Sequence, residues 1–232
     1  MLIFMKIEKT EIWITCERPI EADGTAVRGF FGNLYRQRPE FHGHRGDDLI
    51  YKHPLIQYKV FGGSALVIGV KDGAYLLKAV PKLGHLEIYH NKNTIVKQNS
   101  ISDAFRVGLT DYMIAYAFVT PWIGLNEENY EKYIQLRKKS KDTSVLLEKI
   151  LIGNILSMSK AVGYIVEGKI QIKAKLKESG TIQVKEGVEL IAFQGHFETN
   201  FLMPDFWGIG KFSSRGYGSV KCLNGGEKEN DI

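Results

Sequence analysis

"LIYKHPLIQYKVFGGSALVIGV", residues 49–70, holds two apolar runs on either side of Gly62-Gly63. That arrangement predicts two antiparallel strands joined by a tight turn, because paired glycines supply the left-handed backbone such a turn needs. Upstream of the hairpin, residues 3–15 alternate, with Ile12 and Ile14 opposed to Lys9 and Glu11, as a strand does. Between strand and hairpin, "ADGTAVRGFFGNLYRQRPE" places apolar residues at 27, 30, 31 and 34, a helical spacing, and Pro39 marks its end. Downstream, residues 71–80 predict a short helix, and one or two strands run to about residue 98. The order β-α-β-β-α-β is the ferredoxin-like pattern.

The polar stretch "VKQNSISD" then separates two halves, 1–100 and 101–232. The second half opens on a strand, "DYMIAYAFVTPW". Asn126 caps a helix with Glu127 and Glu128 in its first turn and Arg137 to Lys139 at its end, charges that suit the helix dipole. A further helix from about residue 142 aligns Leu147, Ile150, Leu151, Ile155 and Met158 on one face. Two strands, "GKIQIKAKLKESG" and "GVELIAFQGHFETNF", a glycine-rich loop and a last strand through "GSVKC" complete it. The fold class is α+β: two tandem ferredoxin-like (RRM-like) domains, the second crossover of the C-terminal one replaced by the loop. The tail "NGGEKENDI" reads as disordered.

Composition bounds the function. The chain has 232 residues and a net charge of +5, which suits a polyanionic partner. Cys16 and Cys222 lie far apart without C-x-x-C spacing, as in a reduced cytosolic setting. The longest apolar stretch, "YMIAYAFVTPWIGL", has 14 residues with a proline inside and is too short for a bilayer span. Charges at residues 6, 8 and 9 break any signal-peptide core. The expectation is a soluble, cytoplasmic protein with no membrane partner.

The loop "GIGKFSSRGYGSVK", residues 208–221, has four glycines in eleven residues, Gly208, Gly210, Gly216 and Gly218. A dinucleotide fingerprint fails, because the position three after Gly210 is Ser213 and no helical pattern follows; a Walker loop fails for want of G-K-[ST]. "RGYGSVKC" does follow an RNA-recognition signature at its first four positions and its sixth, although Ser219 and Cys222 replace the stacking aromatics. Lys211 and Arg215 add charge to backbone that glycine lets approach a phosphate. A plain glycine-rich turn remains the competing reading. In "GKIQIKAKLK", Lys169, Lys173, Lys175 and Lys177 share one face with Gln171, and no acid interrupts it. An RNA backbone fits that face.

The second constellation is "FHGHRGDDLIYKHP", in which His42, His44, Tyr51, Lys52 and His53 fall within twelve residues. Two chemistries fit, beside a loop whose histidines only cap and solvate. His42, His44 and Asp47 or Asp48 supply nitrogen and oxygen donors for a metal, with His196 another histidine that folding would have to bring near. Alternatively, a histidine titrating near its usual value of about 6.5 takes the proton of a ribose 2′-OH. Histidine or tyrosine then protonates the departing 5′-oxygen, and lysine or arginine stabilises the phosphate charge. His44, Tyr51 and Lys52 provide that set.

The sequence resembles the CRISPR-associated endoribonucleases that process precursor CRISPR RNA, the Cas-six group of the repeat-associated RNA-binding superfamily, and within it the subtype-b branch. The likeness rests on the loop G-x-G-x(5)-G-x-G at Gly208 to Gly218, on "HGHRGDDLIYKHPLIQYK", and on "TPWIGLNEENYEKY" with "ILIGNILSMSK". It implies tandem ferredoxin-like domains and cleavage of repeat RNA without a metal or other cofactor, leaving a 5′-OH and a 2′,3′-cyclic phosphate or 3′-phosphate. The cut RNA then enters an interference complex. The subtype-b pattern pairs a histidine with a tyrosine seven residues on, here His44 as general base and Tyr51 as general acid, with His42 a substitute and Lys52 or Arg45 stabilising the transition state. Lys173, Lys175, Lys177, Lys211 and Arg215 would position the RNA beside the loop. Two rivals stand: a non-catalytic RNA-binding subunit, and a metal-dependent hydrolase using His42, His44 and Asp47. A homodimer is left open.

Overall fold

The computed structural model describes residues 4–42, 44–45, 48–49, 53–185 and 188–223, with backbone alone at 44–45, 48–49 and 184–185. The first half runs Met5–Cys16 (β1), Gly24–Leu34 (α1), Pro39–His42 (α2), His44–Arg45 (β2), Asp48–Leu49 (β3), Ile56–Phe61 (β4), Ser64–Val70 (β5), Asp72–Lys78 (α3), His85–Ile88 (β6) and Asn91–Phe118 (β7). Asp23 starts α1 by accepting from the Thr25 N–H at 2.8 Å. The helix ends at Leu34, earlier than Pro39 implied, because Tyr35 leaves helical geometry (φ −119°, ψ 49°). Pro39 instead opens α2, at the first helical position, where a missing N–H costs nothing. The predicted glycine turn is present: Gly62 and Gly63 take φ values of 53° and 77° between β4 and β5.

The strand order β4-β5-β1-β7 makes the first half ferredoxin-like, with all pairings antiparallel. The polar stretch expected to separate the halves is itself strand, the middle of the 28-residue β7. Residues 95–107 pair with β1, where Thr10 and Ser102 share a side-chain hydrogen bond of 2.9 Å. The same strand then pairs with β9 from Gly108 onward. At that point Tyr164 accepts the Leu109 N–H at 3.1 Å, and the register with β9 shifts between Leu109 and Ile114. No apolar alternation announced the first part of β7, because most of its side chains there stay exposed.

The second half continues through Glu127–Lys138 (α4), Ser144–Ala161 (α5), Ile172–Lys185 (β8), Val188–Leu202 (β9), a 3-10 turn at Ser213–Arg215 and Val220–Cys222 (β10). The order β10-β7-β9-β8 repeats the ferredoxin-like arrangement, with α4 and α5 as its one helical crossover. Asn126 caps α4 by accepting from the Asn129 N–H at 2.8 Å. Leu147, Ile150, Leu151, Ile155 and Met158 are the buried face of α5. The tail from residue 224 lies outside the described residues. Among them, no helix is long and apolar enough to cross a membrane.

The core explains why "ALVIGV" is a continuous apolar run. Ala65 and Val67 pack with Ile12, Ile14, Val27 and Phe31 under α1, while Leu66, Ile68 and Val70 join Phe197, Phe201, Met203 and Trp207 of the second half. The first sheet is thus buried on both faces, which removes the period-two signal. Tyr116 spans this region: its hydroxyl donates to the Met203 carbonyl and accepts from the Met203 N–H, both at 3.1 Å. Tyr116→Phe should leave both backbone groups buried and unpaired, and lower stability by about 1–3 kcal/mol. Urea unfolding reads the loss; an unchanged midpoint would mean that the backbone relaxes to new partners.

Candidate functional site

The glycine-rich loop folds back on itself. Ile209 donates to the Gly218 carbonyl at 3.0 Å and Val220 to that of Trp207 at 3.2 Å. The segment from Thr120 to Ile123 holds its outer side: Gly218 donates to Pro121 and Lys211 to Ile123, both at 2.8 Å, and the Thr120 hydroxyl accepts from Ser219 at 2.8 Å. Gly218 sits at φ 66°, and a Cβ there would lie 2.0 Å from the Ile209 carbonyl oxygen, so only glycine closes this fold. The N–H groups of Gly208, Gly216 and Gly218 all bond within the protein. Close backbone packing thus engages these three N–H groups, and Lys211 and Arg215 bring charge to the loop.

Arg215 leads to the first cleft. The turn at Ser213–Arg215 packs on α1 and β4, and Arg215 lies over the Phe212 ring, 5.2 Å from its centre. A cleft of about 490 Å³ opens there, lined by Arg28 of α1, Arg36 of the turn that follows it, His42 of α2, and Arg215. Burial first, and then the like charge of Arg215, hold the Arg28 guanidinium below its ordinary value. Arg28 donates to the His42 carbonyl. His42 Nε2 donates to the Arg36 carbonyl at 3.2 Å, and the Tyr58 hydroxyl donates to the Phe41 carbonyl at 2.8 Å, tying α2 to β4. Three arginines from two distant parts of the chain thus face one concavity beside a histidine. Such a cluster suits a bidentate, multiply charged phosphate ligand.

A second group of polar residues lies inside, where β4 meets the loop. The Gln57 side chain pairs with Gly208 as a strand would: Oε1 accepts the Gly208 N–H at 2.7 Å and Nε2 donates to its carbonyl at 3.0 Å. Lys59, fully buried, donates to the same Oε1 at 2.8 Å. Burial lowers the Lys59 ammonium from the usual lysine range to about 7. His53 packs against Trp207, with ring centres 5.8 Å apart, and its Nε2 lies 3.2 Å from Gln57 Nε2. Burial, and then the charge of Lys59, push His53 down to about 3, so its ring is neutral.

Of the residues singled out from sequence, His42 and Arg215 are brought into one cleft, and Lys211 lies at the other end of the loop, away from it. His44 lies on β2, paired with Leu49, and Arg45 with Asp48; their side chains, and all of Asp47, Tyr51 and Lys52, lie outside the described residues. Lys173, Lys175 and Lys177 are exposed on β8, opposite Glu198, His196 and Gln194 of β9, so the basic face adjoins one acid. Lys169 and Gln171 precede β8, where the Asn200 side chain binds the Lys169 carbonyl and the Gln171 N–H. Among the described residues, no three histidine, cysteine, aspartate or glutamate side chains converge as metal ligands. Sequence reading missed Arg28 and Arg36, one on α1 and one in the turn after it, for which no local signal was available. It also missed Gln57 and Lys59, polar residues within one arm of the predicted hairpin.

Two family models cover the described halves: the Cas6b N-terminal domain matches residues 5–105 and the Cas6b C-terminal domain residues 108–223. A crystal structure of Cas6b is 34% identical, superposes with a TM-score of 0.84 and covers 94% of this chain and 100% of its own. Another, of a CRISPR RNA processing endoribonuclease Cas6b, is 31% identical with a TM-score of 0.69 and the same coverage. An uncharacterised protein of Methanocaldococcus jannaschii is 49% identical over 114 residues, 49% of this chain and 75% of its own length.

Buried Lys59 and half-buried His53 generate a pH signature. Lys59 carries a folded value of about 7 against an ordinary 10.5, so the unfolded chain holds the extra proton between those values and stability rises with pH from about 7 to 10.5. His53, at about 3 against 6.5, is neutral in the fold, and its contribution is lost as pH falls from 6.5 toward 3. Thermal melts across that range should show both slopes. Lys59→Met should flatten the alkaline limb and His53→Phe the acid one; a Lys59→Met profile parallel to the wild type would mean that Lys59 stays protonated inside.

Proposed function

The chain belongs to the Cas6b family, and from that premise we propose that it is a metal-independent endoribonuclease that cuts CRISPR repeat RNA. The observation that carries the reading is the cleft where Arg28, Arg36 and His42 meet Arg215 of the glycine-rich loop. It gathers cationic donors for consecutive phosphates next to the segment that holds His44 and Tyr51 in sequence. A crystal structure 31% identical over nearly the whole chain, described as a CRISPR RNA processing endoribonuclease, supports the same activity.

In this mechanism His44 removes the proton of the ribose 2′-OH, and the 2′-oxygen attacks the adjacent phosphorus in line. The bond from phosphorus to the 5′-oxygen breaks, Tyr51 protonates that oxygen, and the products are a 2′,3′-cyclic phosphate and a 5′-OH. Lys52 or Arg45 stabilises the charge on the pentacoordinate phosphate, and His42 is the reserve for either proton transfer. Arg28, Arg36 and Arg215 hold the flanking backbone, and the lysines of β8 extend its path. The glycines of the loop keep Arg215 in place. The guide RNA released by the cut passes to a CRISPR interference complex.

The test is incubation with the repeat RNA in EDTA, beside the same RNA carrying one 2′-deoxy sugar at the cut. The expected result is cleavage of the first and binding alone of the second. His44→Ala and Tyr51→Phe should each slow cleavage by about 10²–10⁴-fold, with the described fold intact by circular dichroism. Wild-type rates in both variants would remove the site assignment. Tight binding without product at any enzyme excess, with or without added Mn²⁺, would make the protein a binding subunit.

A further inference from the structure

The glycine-rich loop also borders a cleft that has no part in the reaction just described. Its Gly210-Lys211 end joins α4 and α5 around a concavity of about 650 Å³ that His53 also lines, a size that takes one nucleotide-sized group. Lys149 of α5 and Lys211 of the loop line it without a carboxylate partner among the described residues. Lys132 also lines it, but Glu128 neutralises that ammonium at 2.5 Å. Asn154 accepts from the Trp122 indole N–H at 2.9 Å through Oδ1, which keeps its Nδ2 donors for another partner.

Gly153 is the independent observation. It lies inside the 18-residue α5, where glycine is among the poorest helix formers. A Cβ at this position would meet no atom within 4 Å, so neither packing nor backbone conformation demands glycine there. The residue lines the cleft, and its missing side chain keeps the cleft open. A helix that gives up propensity for empty space beside two unpaired lysines and a free amide is shaped around something that enters.

We propose that this cleft is a second RNA subsite, which holds one unpaired nucleotide of the same RNA strand with its phosphate on Lys149 and Lys211 and its base edge on the Asn154 amide. The assignment rests on the reading of the protein as a repeat-RNA nuclease. Lys211 and Arg215 are four residues apart on the loop, at most about 14 Å of chain, so a few nucleotides of extended strand link the two clefts. Unstacked bases read by amide edges are the usual basis of sequence choice in single-stranded RNA. The subsite therefore adds affinity and register away from the scissile bond.

The test uses the full chain and the 2′-deoxy repeat RNA, which binds without being cut. Gly153→Met fills the cleft with a better helix former, and Lys149→Gln removes one phosphate contact. Gly153→Met should melt no lower than the wild type yet bind about five- to tenfold more weakly, and Lys149→Gln should reduce the slope of log affinity against log salt by roughly 0.7. Cleavage of bound, cleavable RNA at saturating protein should stay near the wild-type rate in both. If the wild type binds and both variants match it in affinity and salt slope, the cleft is not an RNA subsite, while the nuclease reading survives. If the wild type binds no repeat RNA, both readings fall together.

Discussion

Burial of the first sheet on both faces is the constraint from which the rest follows. One face of β5 packs under α1 through Ala65 and Val67, and the other, through Leu66, Ile68 and Val70, needs the second half of the chain to cover it. Neither half can be dry on that side alone. The covering layer brings Trp207 and Ile209 down onto the sheet, and with them the start of the glycine-rich loop. Polar residues on the covered face must then find partners. Gln57 does so by pairing with both backbone groups of Gly208, and Lys59 does so through Gln57. The hydrophobic contact between halves and the placement of the loop are one arrangement.

From that arrangement the clefts emerge. The loop is fixed on one side by Gln57 and on the other by Thr120, Pro121 and Ile123. It cannot shift without breaking bonds that are buried, so its two charged side chains project from a rigid frame. Arg215 meets α1 and α2; Lys211 meets α4 and α5. A site on a frame of this kind is preorganised, which lowers the ordering cost of binding a flexible strand.

Much of the architecture was legible. The Gly62-Gly63 turn, the Asn126 cap and the apolar face of α5 are local signals, set by φ angles, cap chemistry and spacing within a few residues. The polar start of β7 misled because an edge segment with exposed side chains carries no alternation; its strand character comes from β1 beside it. Lys59 shows the limit in the opposite sense. Alternation in "IQYKV" correctly puts Gln57 and Lys59 on one face and Ile56 and Tyr58 on the other, yet it cannot report that a distant segment covers the polar one.

The sequence by itself determined the element order, the tandem ferredoxin-like pattern, the basic character of the chain and the presence of a glycine-rich loop where no nucleotide fingerprint fits. These follow from short-range periodicity and steric rules that act along the backbone. Only the tertiary structure decided that the loop's glycines pack closely against neighbouring backbone, that Arg28 and Arg36 join Arg215 at one cleft, and that an open glycine on α5 borders another. Residues nearly two hundred positions apart meet there because burying both faces of one sheet folds the second half over the first. That is a long-range demand of the hydrophobic effect, and no local spacing encodes it.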